Sequence, residues 1–311
     1  MALAQNLSHY FTEFFFFPFP GITKQRQILA FLFFSIYGLT LVLNLVISSA
    51  IWWQKNLHSP MYVLITLFLV VNIASTTTVM PKMTLSFLGV NQISRAGCLT
   101  QLFISQSTSM FKSVVLLLMA FDRYIAICRP LHYHTIVTKT SLLHLALAGL
   151  ARNSVIATVF LYLASKLNYC KPNIILNFMC EYIVLVSLAC GDVSRSQIIG
   201  LMSRTGVTLS DITILLVCYM KVLTAVLKIA SGSARHKALH TCGNHVLVAL
   251  LVYFCGLLSS FLHKVDESIS YDFQNLTSII YFLIPSMANP VIYGLCVREI
   301  KDCLMKPWKK K

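Results

Sequence analysis

MAFDRYIAICRPLHY, residues 119–133, sets the pair Asp122-Arg123 at the end of a long apolar run. An ion pair at the mouth of a membrane helix can work as a latch, because moving a neighbouring helix exchanges its partners. That reading requires the run to cross a membrane, and the composition of the 311 residues agrees. Hydrophobic residues make up 57%, charged residues 11%, and the mean hydropathy is +0.74. A soluble domain of this length has no use for so apolar a surface.

Working outward from residue 119, seven windows are long enough for a hydrocarbon core of roughly 30 Å, which takes about 20 helical residues. They fall near 28–52, 60–84, 97–128, 142–164, 196–228, 241–263 and 273–297. The apolar runs are continuous and lack the alternation of lipid-facing strands, so an all-α seven-helix membrane bundle is predicted in place of a barrel. The division is an outer N-terminus at 1–27, a helical domain at 28–297 and a short basic tail at 298–311.

Of the 25 Lys and Arg residues, 14 fall on one side of such a bundle, eight on the other and three, Lys112, Arg152 and Arg204, within spans. The richer side is cytoplasmic, which places the N-terminus outside and the C-terminus inside. The net charge of +15 is therefore a topology signal, and nucleic acid is not an expected partner. The terminal KPWKKK is expected to touch anionic membrane lipid. No cleavable signal peptide is evident, and the first helix is expected to serve as its own insertion signal. Asn6-Leu7-Ser8 is a glycosylation sequon on the outer side; Asn275-Leu276-Thr277 is a second, less suited to modification at the mouth of the seventh helix.

The ten cysteines divide by compartment. Cys98, Cys170, Cys180 and Cys190 face the oxidising exterior and admit three pairings, whereas the other six lie in spans or the cytosol as thiols. None has zinc-ligand spacing, and neither a metal nor a cofactor is expected.

Four segments carry a family resemblance: Leu57-His58-Ser59-Pro60-Met61-Tyr62, the 119–133 stretch, Lys237-Ala238-Leu239-His240-Thr241-Cys242-Gly243-Asn244-His245, and Pro285-Ser286-Met287-Ala288-Asn289-Pro290-Val291-Ile292-Tyr293. Together and in this order they resemble vertebrate olfactory receptors over nearly the whole chain. The resemblance implies a rhodopsin-like receptor in the plasma membrane that binds an odorant-type small molecule and activates a heterotrimeric G protein, the family's usual partner being stimulatory. It also implies the pairs Cys98–Cys180 and Cys170–Cys190, which would tether the second outer loop as a lid, a staple, or both.

In the switch region, Asp122 can hold Arg123 at rest, with Tyr124 completing the triplet, and Tyr219 and Tyr293 offer hydroxyls to a released guanidinium. Pro290 removes a backbone donor beside Asn289 and makes the seventh helix a candidate hinge. Counting along the family's pattern puts Asn72 and Lys112 where many rhodopsin-like receptors carry sodium-binding carboxylates. Lys112 lies about 21 Å along its helix from Cys98 and about 15 Å from Asp122, so its amine needs oxygen partners or must lose its proton. Two states stay open: an ammonium ligated by Asn72, Asn289 and Asn44, or a neutral amine in an apolar slot. Asp211 is read as a structural hydrogen-bonding group, with pairing to Lys112 open, and Arg152 has no assignment.

The family's pocket positions map onto Ser105, Gln106 and Ser109 of the third span and Ser203, Arg204 and Val207 of the fifth. In the sixth and seventh they map onto Tyr253, Gly256, Leu257 and Ser260, then Ile279 and Phe282. Arg204 can bind an anion bidentately, reach headgroups or pair with Glu181. A non-olfactory chemoreceptor shares all of this physics. A transporter would call for half-to-half repeats and acid-lined paths, and an enzyme for a nucleophile with its base or a metal cluster; neither pattern is present.

Overall fold

The computed structural model describes residues 12–22, 24–170, 172–228, 232–265 and 270–305; at 233–234, 237–238, 241, 256–265 and 281 the description is of backbone alone. Seven long helices follow one another: α1 Arg26–Trp53, α2 Pro60–Phe87, α3 Arg95–Cys128, α4 Lys139–Ser165, α5 Ser194–Lys228, α6 Ser233–Val265 and α7 Tyr271–Cys296. Each has 26 to 35 residues, about 39 to 53 Å at 1.5 Å per residue, more than a bilayer core requires.

Local chemistry sets several of the starts. Pro60 opens α2 behind Ser59 in extended conformation, where a missing N–H costs nothing. Ser94 Oγ accepts from the Gly97 amide at the head of α3, and Thr138 and Ser141 form a reciprocal capping box on α4. Ser270 Oγ accepts from the Phe273 amide to open α7.

Five of the helices, α1, α2, α4, α5 and α7, are long and apolar enough to span by composition alone. Their outward faces carry side chains such as Phe31, 75% exposed, and Val155, 65% exposed, which only a lipid surrounding makes favourable. α3 is different. It packs against α2, α4, α5 and α6, so protein and not lipid surrounds its Lys112 and Asp122, both buried. In α6 the apolar segment described is Cys242–Cys255. A Cβ on Gly149 would stand 2.4 Å from Val114 Cγ1, so glycine is what lets α4 lie this close to α3.

Three features go beyond the sequence expectations. Residues 12–19 are not a loose terminus: β1 (Glu13–Phe16) pairs antiparallel with β2 (Gln92–Ser94) and parallel with β3 (Ile174–Ile175), giving the order β2-β1-β3. α6 begins at Ser233, eight residues before the expected 241, and so extends as helix into the cytoplasm. The expected tail opens with a further helix, α8, Arg298–Met305, which buries Ile300 and follows α7 after one extended residue, Val297.

Candidate ligand cavity and cytoplasmic switch

At the cytoplasmic end of α3, Arg123 Nε lies 3.3 Å from Asp122 Oδ2. Asp122 is fully buried, and its other oxygen accepts a hydrogen bond from Tyr133 Oη at 2.8 Å. Tyr133 reaches it because Pro130–His132 form a 3-10 turn that folds the chain back under α3 before the helical turn Tyr133–Ile136. Burial, and then the adjoining carboxylate, push the Tyr133 phenol above its ordinary 10.0, so it remains a donor throughout physiological pH. Tyr124 packs partly buried against the inner core. Tyr219 and Tyr293 do not bond Arg123: among the described residues the fully buried Tyr293 directs its hydroxyl to Met119 Sδ at 3.8 Å, and Tyr219 packs against the same core. The latch is in its paired arrangement.

Above it, Asn44 Nδ2 donates to the carbonyls of Thr40 and Ser286 at 2.8 and 2.9 Å, and Asn72 Nδ2 to Asn44 Oδ1 at 3.4 Å, joining α1, α2 and α7. Asn289, one turn below Ser286 and beside Pro290, is fully buried, and both its amide atoms lack a protein partner among the described residues. Lys112 stands apart from this group. Its Nζ lies 5.7 Å from the centre of the Phe282 ring, and no hydrogen bond to Asn44, Asn72 or Asn289 is present among the described residues.

The polar group that ties four helices together was not anticipated. Ser113 Oγ donates to Asp211 Oδ2 at 2.5 Å and also meets the Tyr253 hydroxyl, while Asp211 Oδ1 lies 3.4 Å from Arg152 Nη1. Asp211, 1% exposed, thus has its oxygens satisfied from α3 and α4, in line with the structural bond expected of it, and its charge balanced by Arg152. Its partner is not Lys112. The signal available in sequence was three cations within spans, Lys112, Arg152 and Arg204, beside the acid Asp211; which of them meets it depended on helix packing.

In the outer half of the bundle, the expected ligand positions divide by the face they occupy. Ser109 is exposed although α3 is the innermost helix, and it sits one turn above Ser113, on the face that meets α5 and α6. Ser105, a turn higher, is buried at 9%, and Gln106 is half-buried with its amide 3.8 Å from Met110 Sδ. Arg204 is exposed two turns above Asp211 on the inward stripe of α5. Tyr253 of α6 meets Ser113 one turn below Ser109, and Phe282 of α7 stacks in tilted fashion on Phe178 of the second outer loop at 6.1 Å.

Three expected contacts fall elsewhere. Ser203 and Val207 border a groove with Val155, Val159, Met202 and Gly206 between α4 and α5; Asp211 and Leu215 are the buried residues that mark the inward stripe of α5, and 203 and 207 lie on its α4 side. Ile279 is fully buried among α1 and α2 residues, including Phe33, Val79 and Met83, because α7 turns that face away from α3. The side chains of Gly256, Leu257 and Ser260 lie outside the described residues, as does Asn6.

The lid is doubly fastened. Cys98 bonds Cys180 and Cys170 bonds Cys190. Gln101, unremarked in the sequence, adds a third tie: its Oε1 accepts from the Cys180 amide at 2.9 Å and its Nε2 donates to Thr78 O at 2.9 Å. Asn275, the second sequon, is 2% exposed with its amide nitrogen 2.7 Å from Leu176 O, and therefore serves loop packing. No group of three or more His, Cys, Asp or Glu residues suited to a metal occurs among the described residues.

Comparison with known proteins bears on this arrangement. The family profile described as olfactory receptor matches residues 33–311. Human olfactory receptor 52K1 is 33% identical over 293 residues, covering 94% of this chain and 93% of its own. Human olfactory receptor 52B6 is 36% identical over 285 residues, 91% and 85%, and rat olfactory receptor 226 is 32% identical over 308 residues, 97% and 93%. With the helical bundle, the tethered outer loop and the Asp122-Arg123 pair, these matches show that the chain belongs to the olfactory receptor family of multi-pass plasma-membrane receptors and is not an enzyme.

Proposed function

We propose that this receptor takes its odorant in the outer cavity bordered by Ser105, Gln106, Ser109, Tyr253 and Phe282, with Arg204 at its rim, and signals through a stimulatory G protein. The observation that carries the reading is the exposure of Ser109 on the inward face of the innermost helix. A ligand resting on Ser109 and Tyr253 presses on Ser113, and through it on Asp211 and Arg152. Four helices therefore share one set of hydrogen bonds directly beneath the ligand. Displacing α6 from that set moves its cytoplasmic half away from Arg123, whose guanidinium then exchanges Asp122 for the partner's surface. Tyr219 and Tyr293 are the acceptors for it in the opened form, and the weakened backbone at Pro290 gives α7 its bending point. The basic end of the chain, with Lys301 on α8 and KPWKKK after it, rests on anionic lipid. The working units are the outer N-terminus 1–27, the receptor domain 28–297 and the tail 298–311.

The test is cyclic AMP in cells expressing the chain against a panel of neutral, anionic and cationic odorants, with Arg123→Ala and Ser109→Trp beside the wild type. The expected result is an odorant response lost in both variants at matched surface expression. A response retained in Ser109→Trp would move the ligand away from this cavity.

A further inference from the structure

A helical side chain leans toward the N-terminal end of its helix, and for α3 that end is the outer one. Lys112 therefore directs its amine toward the outer end of the bundle. The contact with Phe282, seven residues above Asn289 on α7, records this direction. Ser109, one turn above Lys112, is open. Lys112 is 8% exposed, and among the described residues no carboxylate, carbonyl or hydroxyl is hydrogen-bonded to its amine. The nearby acid, Asp211, is occupied by Ser113 and Arg152. The result is an amine beside an aromatic ring, without a hydrogen-bonded oxygen among the described residues, one turn below the exposed Ser109.

We propose that Lys112 is a carbonyl-capturing residue on the floor of the ligand cavity, whose amine condenses with an aldehyde ligand to a reversible imine. Lysines desolvated in apolar pockets are the ones that form Schiff bases. The neutral amine's lone pair adds to the aldehyde carbon, and the carbonyl oxygen takes up a proton to give a carbinolamine. Departure of that oxygen as water, carrying the two hydrogens of the original amine, leaves the C=N bond. No electrons change hands, and one water molecule reverses the step. In this step the Ser109 hydroxyl, one turn up the same helix, is assigned the proton transfer, and the Phe282 ring is assigned the alkyl chain. The inference rests on reading the outer cavity as the ligand site, but its readout does not require signalling.

The experiment uses the full-length receptor in membranes, treated with octanal and sodium cyanoborohydride and then digested for mass spectrometry of the peptide containing Lys112. Exposed Lys55 and Lys139 are internal references. The expected result is reductive alkylation of Lys112 at octanal concentrations about ten-fold below those that mark the references, reduced at least about ten-fold in Ser109→Trp. Lys112 left unmodified while the references react, or modified no more readily than they are and equally in Ser109→Trp, overturns the proposal. Lys112→Arg adds a signalling arm, since a guanidinium forms no stable imine: the octanal dose–response should move to higher concentration by more than that of octan-1-ol, and equal shifts for the two would count against the imine. Labelled Lys112 with no cyclic AMP response to any odorant would sink the signalling reading and leave the imine standing.

Discussion

Replacing Tyr133 by Phe removes one oxygen from beneath the latch and should raise the receptor's ligand-free activity. Asp122 is fully buried, and its two oxygens are divided between Arg123 at 3.3 Å and the Tyr133 hydroxyl at 2.8 Å. A hydrogen bond to a charged group contributes about 1.5–3 kcal/mol. The neighbouring ion pair is weaker than its distance implies, since Arg123 is 23% exposed and screened by solvent. If Tyr133 bonds Asp122 only while the latch is closed, its loss favours the open form by that amount, or about 10- to 100-fold in the equilibrium at 1.4 kcal/mol per decade. The assay is basal cyclic AMP per receptor at the cell surface, with Asp122→Asn as the stronger perturbation. Because the Tyr133 phenol is raised above its ordinary value, the donor itself stays protonated near neutrality. Basal activity unchanged at equal surface expression would refute the reasoning, since it would mean that the hydroxyl binds Asp122 equally in both forms.

Three further outcomes follow from the packing and the lid. Ser113→Ala cuts the link between Asp211 and Tyr253 and should lower maximal odorant response while surface expression holds, as read by cyclic AMP against antibody staining. Gly149→Ala places a methyl 2.4 Å from Val114 and should destabilise the purified receptor by about 1–3 kcal/mol, seen as a lower melting temperature; Gly206→Ala, with nothing within 4 Å, should not. Asn6→Gln should increase electrophoretic mobility by removing a glycan, whereas Asn275→Gln should not, because Asn275 is buried against Leu176.

The seven helices were legible because each has to bury or expose whole turns of apolar residues, and that requirement writes itself into runs of 20 or more. The disulfide pairs were legible through the family resemblance alone, four cysteines being compatible with three pairings. What local pattern does not encode is azimuth. Asp211 and Arg152 each stood out as charges in a membrane span, but their meeting depends on the rotation of α4 against α5, fixed in part by the closeness Gly149 allows. The same lack of azimuth put Ser203, Val207 and Ile279 into the expected pocket when the packing turns them to α4, α1 and α2. β1 escaped notice because Glu13–Phe16 is short and its partners, Gln92–Ser94 and Ile174–Ile175, lie in distant loops. Tyr133 was quoted as the end of a motif, and its role emerged only when the 3-10 turn at Pro130 brought it under Asp122.

The ion pair between α4 and α5 has a consequence for how the chain is made. Arg152 is the fourteenth of the 27 residues of α4, its midpoint, and α4 contains no acidic residue to offset it. A guanidinium at that depth opposes insertion by about 2.5–3.5 kcal/mol, and the carboxylate that neutralises it is translated 59 residues later. α4 therefore enters the bilayer as an incomplete element and settles when α5 arrives with Asp211. Assembly of the bundle has an order built into it, and variants of Asp211 should be held back during synthesis, before any odorant is met.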